Sequence, residues 1–164
     1  MIKKKLAFLV VLLIVLVGTS CSYKKLVLSD NIIKKNCEEI MEHLSKNEED
    51  GLKKMFCKRT RERGAFDLEV EEAMVFFQGE VVTHDSLVGI SGGGYTFRDR
   101  KIVEMHDSPL ITNIVTDADK TYEIIFYTYL INEEDKDLIG ISELSITDID
   151  TEEKCVIGEF VDWI

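Results

Sequence analysis

The chain has no apolar run long enough to cross a bilayer, no Cys-x-x-Cys pair, no internal repeat and no low-complexity stretch. A membrane-spanning helix needs about 20 apolar residues at ~1.5 Å of rise each, and the run Leu6 to Val17 has twelve. Without Cys-x-x-Cys there is neither a zinc knuckle nor a thioredoxin-type redox motif. Only one proline is present, and no long Gly/Ser/Pro linker divides the chain. Histidine is scarce too. His43, His84 and His106 share no ligand spacing with one another or with a cysteine, and Glu39 with His43 reads as a solvent-exposed i,i+4 pair rather than a metal site. Positive charge is in deficit, with 20 Lys and Arg against 31 Asp and Glu, a net −11. Such a surface repels phosphates, which argues against nucleic acid and against adsorption to anionic head groups. No metal and no cofactor are expected.

What is present begins at the N-terminus. Lys3, Lys4 and Lys5 form a basic n-region and Leu6 to Val17 an apolar core of signal-peptide length. Gly18, Thr19 and Ser20 then lead to Cys21. The pattern resembles a lipobox, with Gly18 where a branched apolar residue is usual. The expectation is a lipoprotein signal peptide over 1–20, acylation of Cys21, a short tether over 21–29 and one domain over 30–164. Loss of the three lysines takes the mature charge from −11 to −14. A second anchoring chain is what turns marginal acyl binding into stable anchoring, so the expected address is the extracytoplasmic face of a cell membrane.

Three other cysteines, Cys37, Cys57 and Cys155, cannot all pair within one chain. The sequence leaves two readings for Cys37 and Cys57: a disulfide across an antiparallel helical hairpin, or two buried thiols acting as small hydrophobes.

Ile32, Ile33, Cys37, Ile40, Met41 and Leu44 recur at helical spacing, with Asp30 as N-cap. Leu52, Met55 and Phe56 mark a second short helix, and Leu68 to Phe77 a third, starting near Asp67 and stopped by Gly79. The period then changes from 3.6 to 2. Strands are expected over Glu80–Ile90, Tyr95–Arg98, Lys101–His106, Leu110–Thr116, Thr121–Asn132 and Leu138–Asp148, with Cys155–Trp163 as a last strand or cap. Ser91 to Gly94 reads as a flexible loop. The strand Thr121–Asn132 is apolar on both faces, the mark of a central strand covered on both sides. Helices followed by a meander of strands give an α+β fold, with the helices packed on a curved antiparallel sheet.

The chain resembles a family of uncharacterised lipoproteins, mostly from Firmicutes, known as a domain of unknown function. The segments that carry the likeness are Gly51-Leu52-Lys53-Lys54-Met55-Phe56, Phe76-Phe77-Gln78-Gly79, Tyr122 to Tyr129 and Asn132 to Leu144. The resemblance implies a cystatin-like cone of the nuclear-transport-factor-2-like type. It implies no activity and no catalytic residues, because that fold hosts enzymes, binding modules and inert scaffolds alike.

Residue chemistry adds little to this. The glycine-rich loop lacks the Lys-Ser/Thr and the following helix of a phosphate cradle. The acidic turn Glu133, Glu134, Asp135 and Asp137 lacks the glycine and terminal glutamate of a calcium loop. His84, Asp85 and His106 are the strand residues from which an acid/base pair facing a cavity would be drawn. The reading is a membrane-anchored binding or interaction module and not an enzyme. Its partner is a small ligand, a peptide, an envelope protein or a second copy of the chain as a homodimer. The alternatives are a ligand-free structural lipoprotein and an isomerase- or dehydratase-like enzyme.

Overall fold

The computed structural model describes residues 30–85 and 92–161. The signal peptide, Cys21, the tether 21–29, the 86–90 part of the first expected strand, Ser91 and Trp163 lie outside the described residues. The chain divides into two units, Met1–Lys35 and Asn36–Ile164, and apart from residues 30–35 of the first helix the features that follow belong to the second.

Helix α1 covers residues 30–45, so Asp30 is already helical and not a cap. Cys37, Ile40, Met41 and Leu44 are buried, the i, i+3, i+4, i+7 stripe that an amphipathic helix turns to a core. Asn47 takes a left-handed φ of 56°, which asparagine tolerates better than most residues. Helix α2 (Glu49–Met55) carries acids in its first turn and lysines in its last, complementing the helix dipole. It stops short of the expected Phe56. Phe56 and Cys57 are extended, Phe56 bridges Ile141, and the Cys57 N–H donates to the Ile141 carbonyl at 2.8 Å. Helix α3 (Lys58–Arg61) follows, then α4 (Phe66–Phe76), which buries Phe66, Val70, Ala73 and Met74. Gly79, at φ +88°, redirects the chain three residues beyond that helix rather than capping it.

Of the two readings of Cys37 and Cys57, the structure has the free thiols: both are buried and unbridged. The expected helical hairpin is interrupted at Phe56, so Cys57 is held against the sheet. Its Sγ lies 3.3 Å from Thr60 Oγ1.

Among the described residues seven antiparallel strands follow: β1 (Val81–Thr83), β2 (Gly94–Arg98), β3 (Lys101–Asp107), β4 (Leu110–Thr116), β5 (Thr121–Asn132), β6 (Gly140–Asp148) and β7 (Lys154–Gly158). Strands β3 and β4 pair with the two halves of β5, on the edge that does not pair with β6. The ladder continues between them, where the Phe126 N–H donates to the Pro109 carbonyl at 3.3 Å. Outside these, β1 pairs with β4 and β2 with β3, while β7 closes the far side on β6. Register shifts in β2/β3, β3/β5, β4/β5 and β5/β6 bend the ladder, as bulges do, and the sheet is curved. A short 3-10 turn, Lys136–Leu138, joins β5 to β6.

The fold is therefore α+β, helices first and a curved antiparallel sheet after. Strand β5 is central, and its two faces are covered to different degrees along its first half. Tyr122, Ile124, Phe126 and Thr128 are buried, whereas Ile125 and Tyr127 on the opposite face are half-buried. Phe160 packs edge-on to Tyr127, with ring centroids 4.9 Å apart. Tyr122 pins the sheet to α4: its hydroxyl donates to the Phe76 carbonyl and accepts from the Gln78 N–H, each at 3.1 Å, and Phe77 stacks on its ring at 4.6 Å.

Candidate functional site

The end of the sheet formed by β2, β3 and the C-terminal half of β5 is built differently from the rest. A two-residue turn with Asp99 at φ 49° and Arg100 at φ 64° joins β2 to β3; positive φ at both central residues is the type I′ hairpin that suits strand twist. Along β2 only Gly94 is half-buried; the four residues after it are exposed. Tyr95 and Phe97 share a face and form an edge-on pair at 5.3 Å, at 51% and 48% exposure. Thr96 and Arg98 alternate to the other face.

A groove of about 440 Å³ lies here, lined mostly from that other face by Gly94, Thr96, Arg98, Glu104, His106, Asn132 and Glu134, with Tyr95 and Val103 also at its wall. Cross-strand register places Gly94 opposite His106, Thr96 opposite Glu104 and Glu104 opposite Asn132. His106 Nδ1 lies 3.5 Å from Glu104 Oε1, and the imidazole meets the ring of Tyr129 edge-on at 5.7 Å. Arg98 donates to Glu134 at 2.7 Å. Asn132 Oδ1 accepts from the N–H groups of Glu134 and Asp135, at 3.1 and 2.8 Å, which fixes the turn that presents Glu134. Gly94 keeps the floor open, because a Cβ there would stand 2.9 Å from His106 Nε2. Such a groove offers carboxylates to a cationic group and an imidazole and amide to polar neighbours, with an apolar flank on the reverse of the same strand.

The other residues singled out by the sequence are dispersed. His84 and Asp85 are exposed just beyond β1. His84 Nδ1 lies 2.7 Å from the Asp85 carbonyl, and the Asp85 carboxylate accepts from Thr112 and Asn113, so neither is aimed at the His106 groove. His43 Nδ1 is 2.9 Å from Glu48. The acidic turn is engaged by cations: Asp135 pairs with Arg59 and Asp137 with Lys58 at 2.9 Å. Among the described residues no group of three His, Cys, Asp or Glu is placed to hold a metal ion, and no helix is long and apolar enough to cross a membrane. Cys37 is inert by environment: burial, and next the negative charge of Asp107, push its thiol up to about 12.

A second surface lies on α4, where Leu68, Glu71, Glu72, Val75 and Phe76 line a shallow hollow. Its side chains come from one helix face and include no pair of opposite charges. The β2 end combines polar, charged and aromatic groups from three strands and is the stronger candidate. Sequence reasoning named His106 as a strand histidine and Glu134 within the acidic turn, separately; it missed Glu104, Asn132 and Arg98 because only the strand register brings them together.

The model of a family described as a domain of unknown function (DUF5104) matches residues 39–152. The chain belongs to this family. Its matched span runs from α1 to the turn before β7, and so contains the whole β2–β3–β5 groove. Among curated proteins none matches the chain.

Proposed function

We propose that this member of the family is a lipid-anchored interaction module on the extracytoplasmic face of a cell membrane. It is held there by acylated Cys21 and takes an extended, basic partner segment along the outer edge of β2. The observation that carries the reading is the open edge itself. The other two outer strands are blunted: the Val81 N–H of β1 donates to Ser45 Oγ at 3.2 Å and the Gly158 N–H of β7 to Glu69 at 2.8 Å. Strand β2 ends the path β1-β4-β5-β3-β2, and among the described residues no backbone hydrogen bond reaches its far side. An unprotected edge invites strand addition, in which alternate side chains of the incoming segment meet alternate faces. One set would lie on Tyr95 and Phe97, the other over the groove. Glu104 and Glu134, on a chain of net charge −11, favour Lys or Arg in the second set. In this reading Glu104 and His106 recognise a ligand and catalyse no reaction.

The lipid anchor is supported by the basic n-region, the short apolar core and the small residues before Cys21. The test of binding uses the full chain in detergent micelles and two labelled peptides, one alternating Val with Arg and one alternating Val with Glu. Fluorescence anisotropy should report binding of the Arg peptide, none of the Glu peptide, and about tenfold weaker binding to Glu104→Gln. Equal binding of both peptides, or none of either, would contradict the reading.

A further inference from the structure

We infer that the edge of β2 is self-complementary, and that a second copy of this chain pairs with it antiparallel about a twofold axis through Thr96. The inference rests on the docking reading above and names its partner. Because β2 is closed by a two-residue I′ turn, Arg98 and Lys101 form the hydrogen-bonded closing pair. The extra residue at the register shift is Val103 on β3, so alternation along β2 itself is unbroken. The backbone N–H and C=O groups of Phe97 and Tyr95 therefore point outward, and those of Arg98, Thr96 and Gly94 point back to β3.

Centred on Thr96, Gly94-Tyr95-Thr96-Phe97-Arg98 matches itself when reversed. Tyr95 falls opposite Phe97 of the second copy, so the outward backbone groups meet as hydrogen-bonded pairs and four aromatic rings form one ladder on one face, the kind of cross-strand pairing that stabilises sheets. Thr96 falls opposite its own counterpart. Gly94 falls opposite Arg98 of the second copy, which brings that guanidinium over the one position in the groove with no side chain, beside His106 and Glu104. Arg98 and Glu134 are both well exposed, at 63% and 70% of the side chain, so their bond is one that a closer carboxylate can replace. The five-residue window follows Gly92-Gly93, which carry no side chains, and ends at the turn Asp99-Arg100. Five residues a side bury far less than the ~1,600 Å² of a standard interface. The pairing is weak for free chains and is strengthened when both copies are confined to one membrane, which raises their effective concentration.

The direct test is a cross-link at the axis. A central non-hydrogen-bonded pair has Cα atoms about 4.5 Å apart, inside the roughly 4.4–6.8 Å range of disulfides. The full chain carrying Cys155→Ser, to remove the half-exposed thiol, is placed in its membrane with Thr96→Cys or, as control, Val82→Cys on exposed β1. Mild oxidation should give a reducible dimer for Thr96→Cys and none for Val82→Cys. Arg98→Glu should abolish that dimer, and Glu104→Arg added to Arg98→Glu should restore it. No dimer at position 96, or equal dimer at 82 and 96, overturns the inference. If position 96 does not cross-link while the Arg peptide still binds, self-pairing falls and the docking reading stands; if neither occurs, both fall.

Discussion

The residues that hold the fold together are those whose polar atoms are settled inside it, and single-atom changes expose this. The Tyr122 hydroxyl is bonded at both ends to the chain leaving α4, so Tyr122→Phe leaves the part-buried Gln78 N–H and Phe76 carbonyl without this partner. Chemical denaturation should show a loss of about 1–2 kcal/mol. Thr128 has the opposite character. It is 1% exposed and its Oγ1 has no hydrogen-bond partner, so the near-isosteric Thr128→Val should leave stability unchanged or raise it by up to about 1 kcal/mol. Cys37 gives a pH signature. With the folded thiol raised from 9.0 to about 12, its contribution to stability is intact below pH 9 and is lost as pH rises from there toward 12. The denaturation midpoint of the wild type should therefore fall over that window more steeply than that of Cys37→Ala, and Cys37 should resist alkylation until the chain unfolds.

Elements were legible where local pattern and tertiary demand agree. The strands Leu110–Thr116 and Thr121–Asn132 fall where alternation and the turn Asp117 to Lys120 place them, because one face of each feeds the core and β-branched residues fit a pleated surface. The α2–α3 break was not legible. Leu52, Met55 and Phe56 keep helical spacing, yet Phe56 is drawn out to bridge Ile141, a contact 85 positions away that no local rule contains. The groove was hidden for a related reason, since a bulge at Val103 decides that Glu104, and not its neighbour, faces Thr96. At the far edge, Gly158 has φ +85° and a Cβ there would meet the Ser142 carbonyl oxygen at 2.1 Å. Gly158→Ala should cost about 2 kcal/mol or more and detach β7 first, visible as faster amide exchange in β7 than in β5.

For the whole molecule, the acidic surface and the anchor act together. A net charge of −11 for the chain, or −14 without Lys3, Lys4 and Lys5, is repelled by anionic head groups, so under the proposed anchoring membrane residence depends on the lipid alone. Full-length chain labelled in cells with palmitate should incorporate the label and remain in the membrane after an alkaline wash, and Cys21→Ser should incorporate none. Label retained in Cys21→Ser would place the modification elsewhere. Raising salt should weaken capture of a basic segment at the β2 edge, because the charges that attract it are exposed and screened within about 8 Å at physiological ionic strength.

Amide hydrogen exchange on the full chain, with and without the Val-Arg peptide, tests at the atoms concerned whether partners add to the outer edge of β2. The Tyr95 and Phe97 amides, fast in the free chain, should slow markedly in the presence of peptide while the exposed face of α4 around Leu68 and Val75 is unchanged. Slowing confined to α4, or no change at Tyr95 and Phe97 under saturating peptide, would contradict it.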